Sequence, residues 1–284
     1  MFSVVIPAYN CERTICEVLN SVAKQTRLDL IDEIIIINDG SSDGTELIIK
    51  KYISENPELK IKYVPQENHG VAFTRNTGIK MATSDWIALL DSDDVWFPNK
   101  IERQYTVINK NPDIFFLGSE YPLPFYFPKQ NNGLYKLTPK LLCLKSMPVT
   151  PSVVFHRETG IALGLYEEEM NYCEDINFFQ KFFLKDSYYI LGENLVKIGI
   201  GKKFHGEIGL SSNIKKMDQG RTKNVKDLYK MGLISKYFMI LILFVNKIKF
   251  IRRKLLISIN RIVYKGANKN TAEENGTSKS KHYN

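Results

Sequence analysis

The run Glu33-Ile-Ile-Ile-Ile-Asn38 is apolar at every position from Ile34 to Ile37. A strand with one wet face would alternate; this one does not, so it belongs in the middle of a parallel sheet covered on both sides. The flanking segments agree with that placement. Phe2 to Ile6 reads as a buried strand closed by Pro7, and Glu12 to Lys24 as a helix with Ile15, Val18, Leu19 and Val22 on one face. Asp39-Gly-Ser-Ser-Asp-Gly44 is turn chemistry, and Thr45 leads into a helix running to about Glu55. Ile61–Val64 is expected as a strand, Val71–Met81 as a helix, and Trp86–Leu90 as a strand that stops at Asp91. A helix from Pro98 to Asn109 and a strand at Asp113–Leu117 complete the series. Such alternation predicts an α/β fold with a mostly parallel sheet flanked by helices. Ligands of such sheets bind beyond the carboxyl ends of the strands. Asp39 and Asp91 both fall at such ends.

The remainder is less regular. Tyr121 to Pro151 is rich in Pro, Phe and Tyr without a period and reads as loops and short strands that shape a second pocket. Glu167 to Lys185 returns to helical spacing, with Ile176, Phe179, Phe182 and Phe183 on one side. Gly199 to Ser212 is a Gly-rich loop carrying His205. The net charge of +8 comes from an excess of Lys and Arg after Gly201, which suggests an anionic partner for the C-terminal segment. The part before it gives no sign of a nucleic-acid footprint. Cys11, Cys16, Cys143 and Cys173 form no CxxC pair, and the N-terminus lacks a basic, apolar leader; a cytoplasmic protein with reduced thiols is the simplest expectation.

Leu89-Leu90-Asp91-Ser92-Asp93-Asp94 places three carboxylates in four residues after a buried strand. Hard cations such as Mn²⁺ or Mg²⁺ take oxygen ligands and would relieve their mutual repulsion. A solvated acidic turn or helix cap is the structural alternative. The Asp39–Thr45 turn likewise reads either as a plain strand-to-helix connection or as a site where a short acid meets a base or ribose.

These two elements do not stand alone. Pro7-Ala8-Tyr9-Asn10, Asn68-His69-Gly70 and Arg75-Asn76-Thr77-Gly78 accompany them in order. The set resembles the inverting family 2 glycosyltransferases of the GT-A (Rossmann-like) fold, closely over about Met1 to Lys100 and loosely beyond Asn111. Thr74 stands where that family usually has Ala. The resemblance implies that Pro7, Tyr9 and Asp39 line a uridine pocket, with Asp39 bonding the uracil. Asp91 would contact ribose or metal-bound water, beside Ser92, and Asp93 would be the principal ligand of the Mn²⁺ or Mg²⁺ holding the UDP diphosphate. Arg75 would face the phosphates or support the acidic loop. Glu174-Asp175 looks like the family's acidic pair: Asp175 as general base, Glu174 as a neighbour toward an acceptor hydroxyl. Helix capping by acids of a first turn is the plainer explanation of that pair. Relatives with this fold often complete the metal site with a late histidine, which would make His205 a metal or diphosphate contact.

Tyr237 to Val245 is an apolar run too short for a bilayer span of about 20 residues. Lys247, Lys249, Arg252, Arg253 and Lys254 follow it, interleaved with Ile, Phe and Leu. The pattern suits a helix in the interface of an anionic membrane, or one packed on the catalytic domain with its basic side in water.

The organisation expected is a nucleotide-sugar-binding half over 1–110, an acceptor-binding half over 111–227, a basic amphipathic helical extension over 228–265 and a disordered tail over 266–284. The function implied is transfer of one hexose, glucose or galactose, from a UDP-sugar to a lipid-linked saccharide of undecaprenyl-diphosphate type. It would take place at the inner face of the cell membrane, in bacterial O-antigen or capsule assembly. A nucleotidyltransferase would carry a Gly-rich phosphate loop where Pro7-Ala-Tyr-Asn10 stands, and a non-catalytic nucleotide-sugar-binding protein would be expected to lack acids at Asp93 and Asp175.

Overall fold

Four strands in the order β3-β2-β1-β4 run parallel through the first ninety residues: β1 (Phe2–Ala8), β2 (Ile31–Asp39), β3 (Ile61–Gln66) and β4 (Trp86–Leu89). The computed structural model describes residues 1–120, 133–144, 148–201, 213–254 and 256. Between these strands lie α1 (Ile15–Ala23), α2 (Thr45–Glu55) and α3 (Val71–Met81). The isoleucine run is buried from Glu33 to Asp39, as a central strand requires. Val4, Ile6, Ile34 and Ile36 turn to one face and join the apolar face of α1 in the main core. On the other face α3 closes in so tightly that a Cβ on Gly78 would lie 2.5 Å from Val5 Cγ1. Each fully buried Ile or Val contributes roughly 1.5–3 kcal/mol.

The chain then forms β5 (Val95–Trp96), α4 (Lys100–Lys110), β6 (Phe116–Glu120), β7 (Leu134–Lys136) and α5 (Pro139–Leu144). After these come β8 (Val154–His156), α6 (Arg157–Ala162), α7 (Glu174–Phe179), β9 (Tyr189–Asn194), β10 (Val196–Lys197) and α8 (Ile214–Lys230). Strand β8 inserts antiparallel between β4 and β6, so β6 again runs in the direction of β4. The eight-stranded sheet is parallel on one side and mixed on the other. Strand β10 pairs with β5 in a separate ribbon.

Helices α2 and α3 fall where the spacing predicts them. The helix expected over Glu167 to Lys185 does not form as one element. It begins only at Glu174 and gives way to a 3-10 stretch at Gln180–Lys185. The reason is backbone conformation: Cys173 is left-handed, with φ 58°, and no helix passes through such a residue. Phe178, Phe179, Phe182 and Tyr188 still reach the core, packed around Phe116 and Phe155. The strand expected at Asp113–Leu117 starts at Phe116, because Asn111 to Ile114 form a turn, with the Ile114 amide on the Asn111 carbonyl.

The chain divides into two units, Met1–Ser235 and Lys236–Asn284. The second is helical over 236–254. Tyr237, Ile240, Leu241, Phe244, Ile248 and Ile251 are exposed on it, at the three- and four-residue spacing of one helix face. No helix among the described residues is long and apolar enough to cross a membrane. The tail expected over 266–284 lies outside the described residues, as do 121–132 and 145–147 of the irregular middle.

Candidate active site

Three loops meet at the carboxyl edge of the parallel strands. The one after β1 and the one after β2 are laced together. The Ser42 amide donates to Asn10 Oδ1 at 2.8 Å, the Gly44 amide to Glu12 Oε2 at 2.8 Å, and the Cys11 amide to Thr45 Oγ1 at 2.8 Å. Asn10 takes a left-handed conformation, φ 47°, to make this possible. Pro7 is buried within β1 against Ile37 of β2, while Tyr9, just past the strand end, is 52% exposed. Its ring is free to meet a flat ligand.

Asp39 is buried at the end of β2. Its Oδ1 accepts from Gln66 Nε2 at 2.7 Å and the His69 amide at 2.9 Å, and its Oδ2 from the Gly70 amide at 2.9 Å. A carboxylate offers about four acceptor positions, so room for about one more bond remains. Gly40 is needed beside it: φ is 73°, and a Cβ there would sit 2.9 Å from the Asn68 amide nitrogen. Asp39 therefore fixes the Asn68–Gly70 turn that starts α3.

Arg75 on α3 is the centre of the arrangement. Only 4% exposed, it donates from Nη2 to Asp91 Oδ1 at 2.7 Å and from Nη1 to Glu174 Oε1 at 2.8 Å. The guanidinium lies 5.4 Å from the centre of the Tyr166 ring. The resemblance left Arg75 with two roles; its contacts in this structure are with Asp91 of the acidic loop and with Glu174. Its neighbour Asn76 holds the Tyr166 backbone from both sides, at 2.9 Å to the carbonyl and 3.0 Å from the amide. The Arg-Asn pair thus ties α3 to the acidic loop and to the segment leading into α7 at once.

Asp91, Glu174 and Asp175 crowd around this one cation. Burial pushes the Asp91 carboxyl up, with Arg75 opposing. Asp175, half-buried at the start of α7, is pushed up to about 7, first by burial and next by the charge of Glu174, again against Arg75. Its Oδ1 accepts from the Ile176 amide at 2.7 Å. A carboxyl that ionises near neutrality is matched to taking a proton at physiological pH.

Ser92 holds the loop through its carbonyl, which accepts from Thr14 Oγ1 at 2.6 Å. Asp93 and Asp94 link the loop to the strand-end segment at Gly199. The Ile200 amide donates to the Asp93 carbonyl at 2.8 Å, and the Gly199 amide to Asp94 Oδ1 at 2.7 Å. Ribbon β5–β10 delivers that segment to the acidic run. The sequence reading missed both Asp94's link and Tyr166; no local pattern marks a contact spanning 105 residues. His205 lies outside the described residues. Among the described residues no three His, Cys, Asp or Glu side chains gather as a metal site. Asp91 and Asp93 are nonetheless hard oxygen donors, and Mg²⁺ is commonly held by one or two carboxylates together with substrate phosphates. The donor set present fits that mode.

Residues 3–158, more than half of the chain, match the model of the family described as "Glycosyl transferase family 2". The chain belongs to that family. It is a glycosyltransferase by family, and its sheet is the GT-A arrangement that the motifs imply. It is 33% identical over 212 residues to an uncharacterized glycosyltransferase of Rickettsia prowazekii, covering 69% of this chain and 63% of that protein. The chain thus spans somewhat under two thirds of that relative. It is also 37% identical over 120 residues to the Escherichia coli UDP-Glc:alpha-D-GlcNAc-diphosphoundecaprenol beta-1,3-glucosyltransferase WfgD, covering 42% of this chain and 45% of that one. Among solved structures, Staphylococcus aureus TarS 1-349 in complex with UDP-GlcNAc superposes with a TM-score of 0.62 at 20% identity, over 85% of this chain and 70% of that one. The mannosyltransferase PcManGT from Pyrobaculum calidifontis, in complex with GDP-Man and Mn²⁺, gives 0.65 at 17% identity, over 81% and 64%. At such identities these two likenesses establish the fold alone.

Proposed function

We propose that this glycosyltransferase transfers one hexose, glucose or galactose, from a UDP-sugar to a hydroxyl of a lipid-linked saccharide, inverting the anomeric centre, with Asp175 as general base. The observation that carries this reading is the carboxyl of Asp175, held ionisable near neutrality beside the Arg75–Asp91–Glu174 cluster. The acceptor oxygen attacks the anomeric carbon and its proton passes to the Asp175 carboxylate. The bond from the anomeric carbon to the diphosphate oxygen breaks, and its electron pair leaves with UDP. Tyr9, Pro7 and Asp39 receive the uridine, and Asp91, with Ser92, the ribose side. Asp93 and Asp91 are the residues that would hold Mn²⁺ or Mg²⁺, with His205 as a further contact. When bound, the cation neutralises charge on the departing diphosphate.

The donor and acceptor classes are supported by the name of the E. coli relative, which pairs UDP-Glc with a diphosphoundecaprenol-linked sugar. The helix over 236–254 supports a place on the inner face of the cell membrane. At about 100° per residue its exposed apolar stripe is flanked by Lys247 and Lys254 on one side and Lys249 and Arg252 on the other. From Met231 to Ala272 there is no Asp or Glu. That is the composition of a helix lying on anionic headgroups.

A screen of UDP- and GDP-sugars with Mn²⁺ and a GlcNAc-diphosphate lipid tests the reading. Release of UDP from UDP-glucose or UDP-galactose that depends on metal and acceptor is expected. Turnover confined to GDP-sugars, or none with either class, would overturn it. Removal of the residues after Ser235 should abolish flotation with phosphatidylserine vesicles; unchanged flotation would overturn the membrane assignment.

A further inference from the structure

Immediately before the acidic pair, the chain does something costly. Cys173 sits at φ 58° and ψ 27°, a left-handed conformation that costs a non-glycine residue roughly 1–2 kcal/mol and persists only when its surroundings over-determine it. The surroundings are one face of α8. Met217, Gly220, Asn224 and Asp227 follow one another at helical spacing, and each touches the turn over 172–177. Asn224 Nδ2 donates to the Cys173 carbonyl at 3.0 Å, and Asn224 Oδ1 accepts from Asn177 Nδ2 at 3.0 Å. Asp227 Oδ2 also accepts from Asn177 Nδ2, at 3.1 Å. The Cys173 thiol points at the Met217 carbonyl, 3.6 Å away. Gly220 lets the helix come this close: a Cβ there would lie 2.3 Å from the Tyr172 carbonyl oxygen. Asn224 is 4% exposed, so its amide spans the buried junction between the two segments and meets a backbone carbonyl on one side and a side-chain amide on the other.

We propose that Asn224 is a positioning residue for transfer: its amide, seated against the turn by Gly220, latches Cys173 in the left-handed conformation and so aims Glu174 and Asp175 at the acceptor side of the site. The latch acts through the backbone. Released from Asn224, Cys173 relaxes toward an ordinary conformation and the first turn of α7 rotates. Glu174 then leaves Arg75 and Asp175 leaves its station, while the donor loops after β1, β2 and β4 are untouched. The proposal rests on the assignment of Asp175 as base.

A substitution at Cys173 separates latch from packing. Glycine adopts positive φ without strain, so Cys173→Gly needs no latch. Asn224→Ala is expected to lower kcat for transfer from UDP-glucose to a GlcNAc-diphosphate lipid on the order of tenfold to a hundredfold, the cost of a misplacement near 1 Å. Donor KM should stay within about twofold. Gly220→Ala, which pushes the same turn from the neighbouring position, should act in the same direction. Adding Cys173→Gly to Asn224→Ala should restore most of kcat. In the substrate-free protein, Asn224→Ala should lower Tm less in the Cys173→Gly background than in the Cys173 background. NMR backbone shifts of Glu174 and Asp175 should move in Asn224→Ala and return in the double variant. Strictly additive Tm changes, with unmoved shifts at 173–175, would overturn the latch, as would a folded Asn224→Ala protein of normal kcat. If the wild-type protein does not turn over UDP-sugars at all, the donor assignment fails, and the shifts and Tm coupling still decide the latch.

Discussion

Two carboxylates at opposite edges of the same sheet, Glu33 buried and Asp175 half-buried, show what the fold does with negative charge. Glu33, at the amino edge, is met by donors on every side. Ser3 Oγ and the Thr83 amide give to its Oε1 at 2.7 Å each, Thr83 Oγ1 gives at 2.8 Å, and Lys62 sits beside Oε2. Burial opposes its charge, but Lys62, Ser3 and Thr83 together outweigh it and hold the carboxyl at about 2. Asp175, at the carboxyl edge, has one backbone donor and two acidic neighbours, and is pushed up to about 7. Glu33 closes the bottom of β1, β2 and β4, with three hydrogen bonds to Oε1 and the Lys62 charge opposite Oε2. Asp175 is left crowded by like charge, and it is the carboxylate to which the proposed mechanism gives the acceptor's proton.

Removing the cation should break the comparison most severely. Arg75→Ala leaves the buried Glu174 and the half-buried Asp91 without their partner, and a loss on the order of 3 kcal/mol is expected in denaturant unfolding at pH 7. Asp175→Asn should do the reverse. The folded carboxyl ionises at about 7, well above its unfolded value near 3.8. It therefore adds stability below pH 4, all of which is lost as the pH rises through 7. Above pH 7 the asparagine variant should be more stable than wild type, by as much as about 4 kcal/mol before screening by water. A variant less stable than wild type at pH 8 would contradict the crowding. Glu33→Gln should destabilise by on the order of 2 kcal/mol at neutral pH. Because its folded value is depressed, the Glu33 contribution is present above pH 5 and lost as pH falls toward 2, so the deficit of the variant should vanish in acid. The smallest effect sharpens the contrast further. Glu174→Gln removes a charge that raises Asp175, and the acidic limb of kcat against pH should move down from about 7.

Much of this was legible beforehand. The isoleucine run could sit only at the centre of a sheet, and that placed Asp39 and Asp91 on one edge. Helices α2 and α3 carry their periodicity locally and fall where it predicts. What stayed hidden is non-local. Strand β8 is three residues long and owes its place to pairing with β4 and β6, so no period announces it. The late aromatic run has helical spacing throughout, and nothing in the residue type of Cys173 reveals the left-handed conformation that breaks it. The donors that engage Asp39 come from Gln66, His69 and Gly70, about thirty residues on. The Arg75 triad likewise joins α3 to a residue 99 positions later.

The central claim is that Asp175 takes the acceptor's proton. It is tested most directly by measuring transfer and donor binding side by side in Asp175→Asn, with UDP-glucose, Mn²⁺ and a GlcNAc-diphosphate lipid. The expected result is UDP-glucose affinity within about twofold of wild type and transfer reduced on the order of a hundredfold to ten-thousandfold. Transfer at the wild-type rate in a variant that still binds UDP-glucose would contradict it.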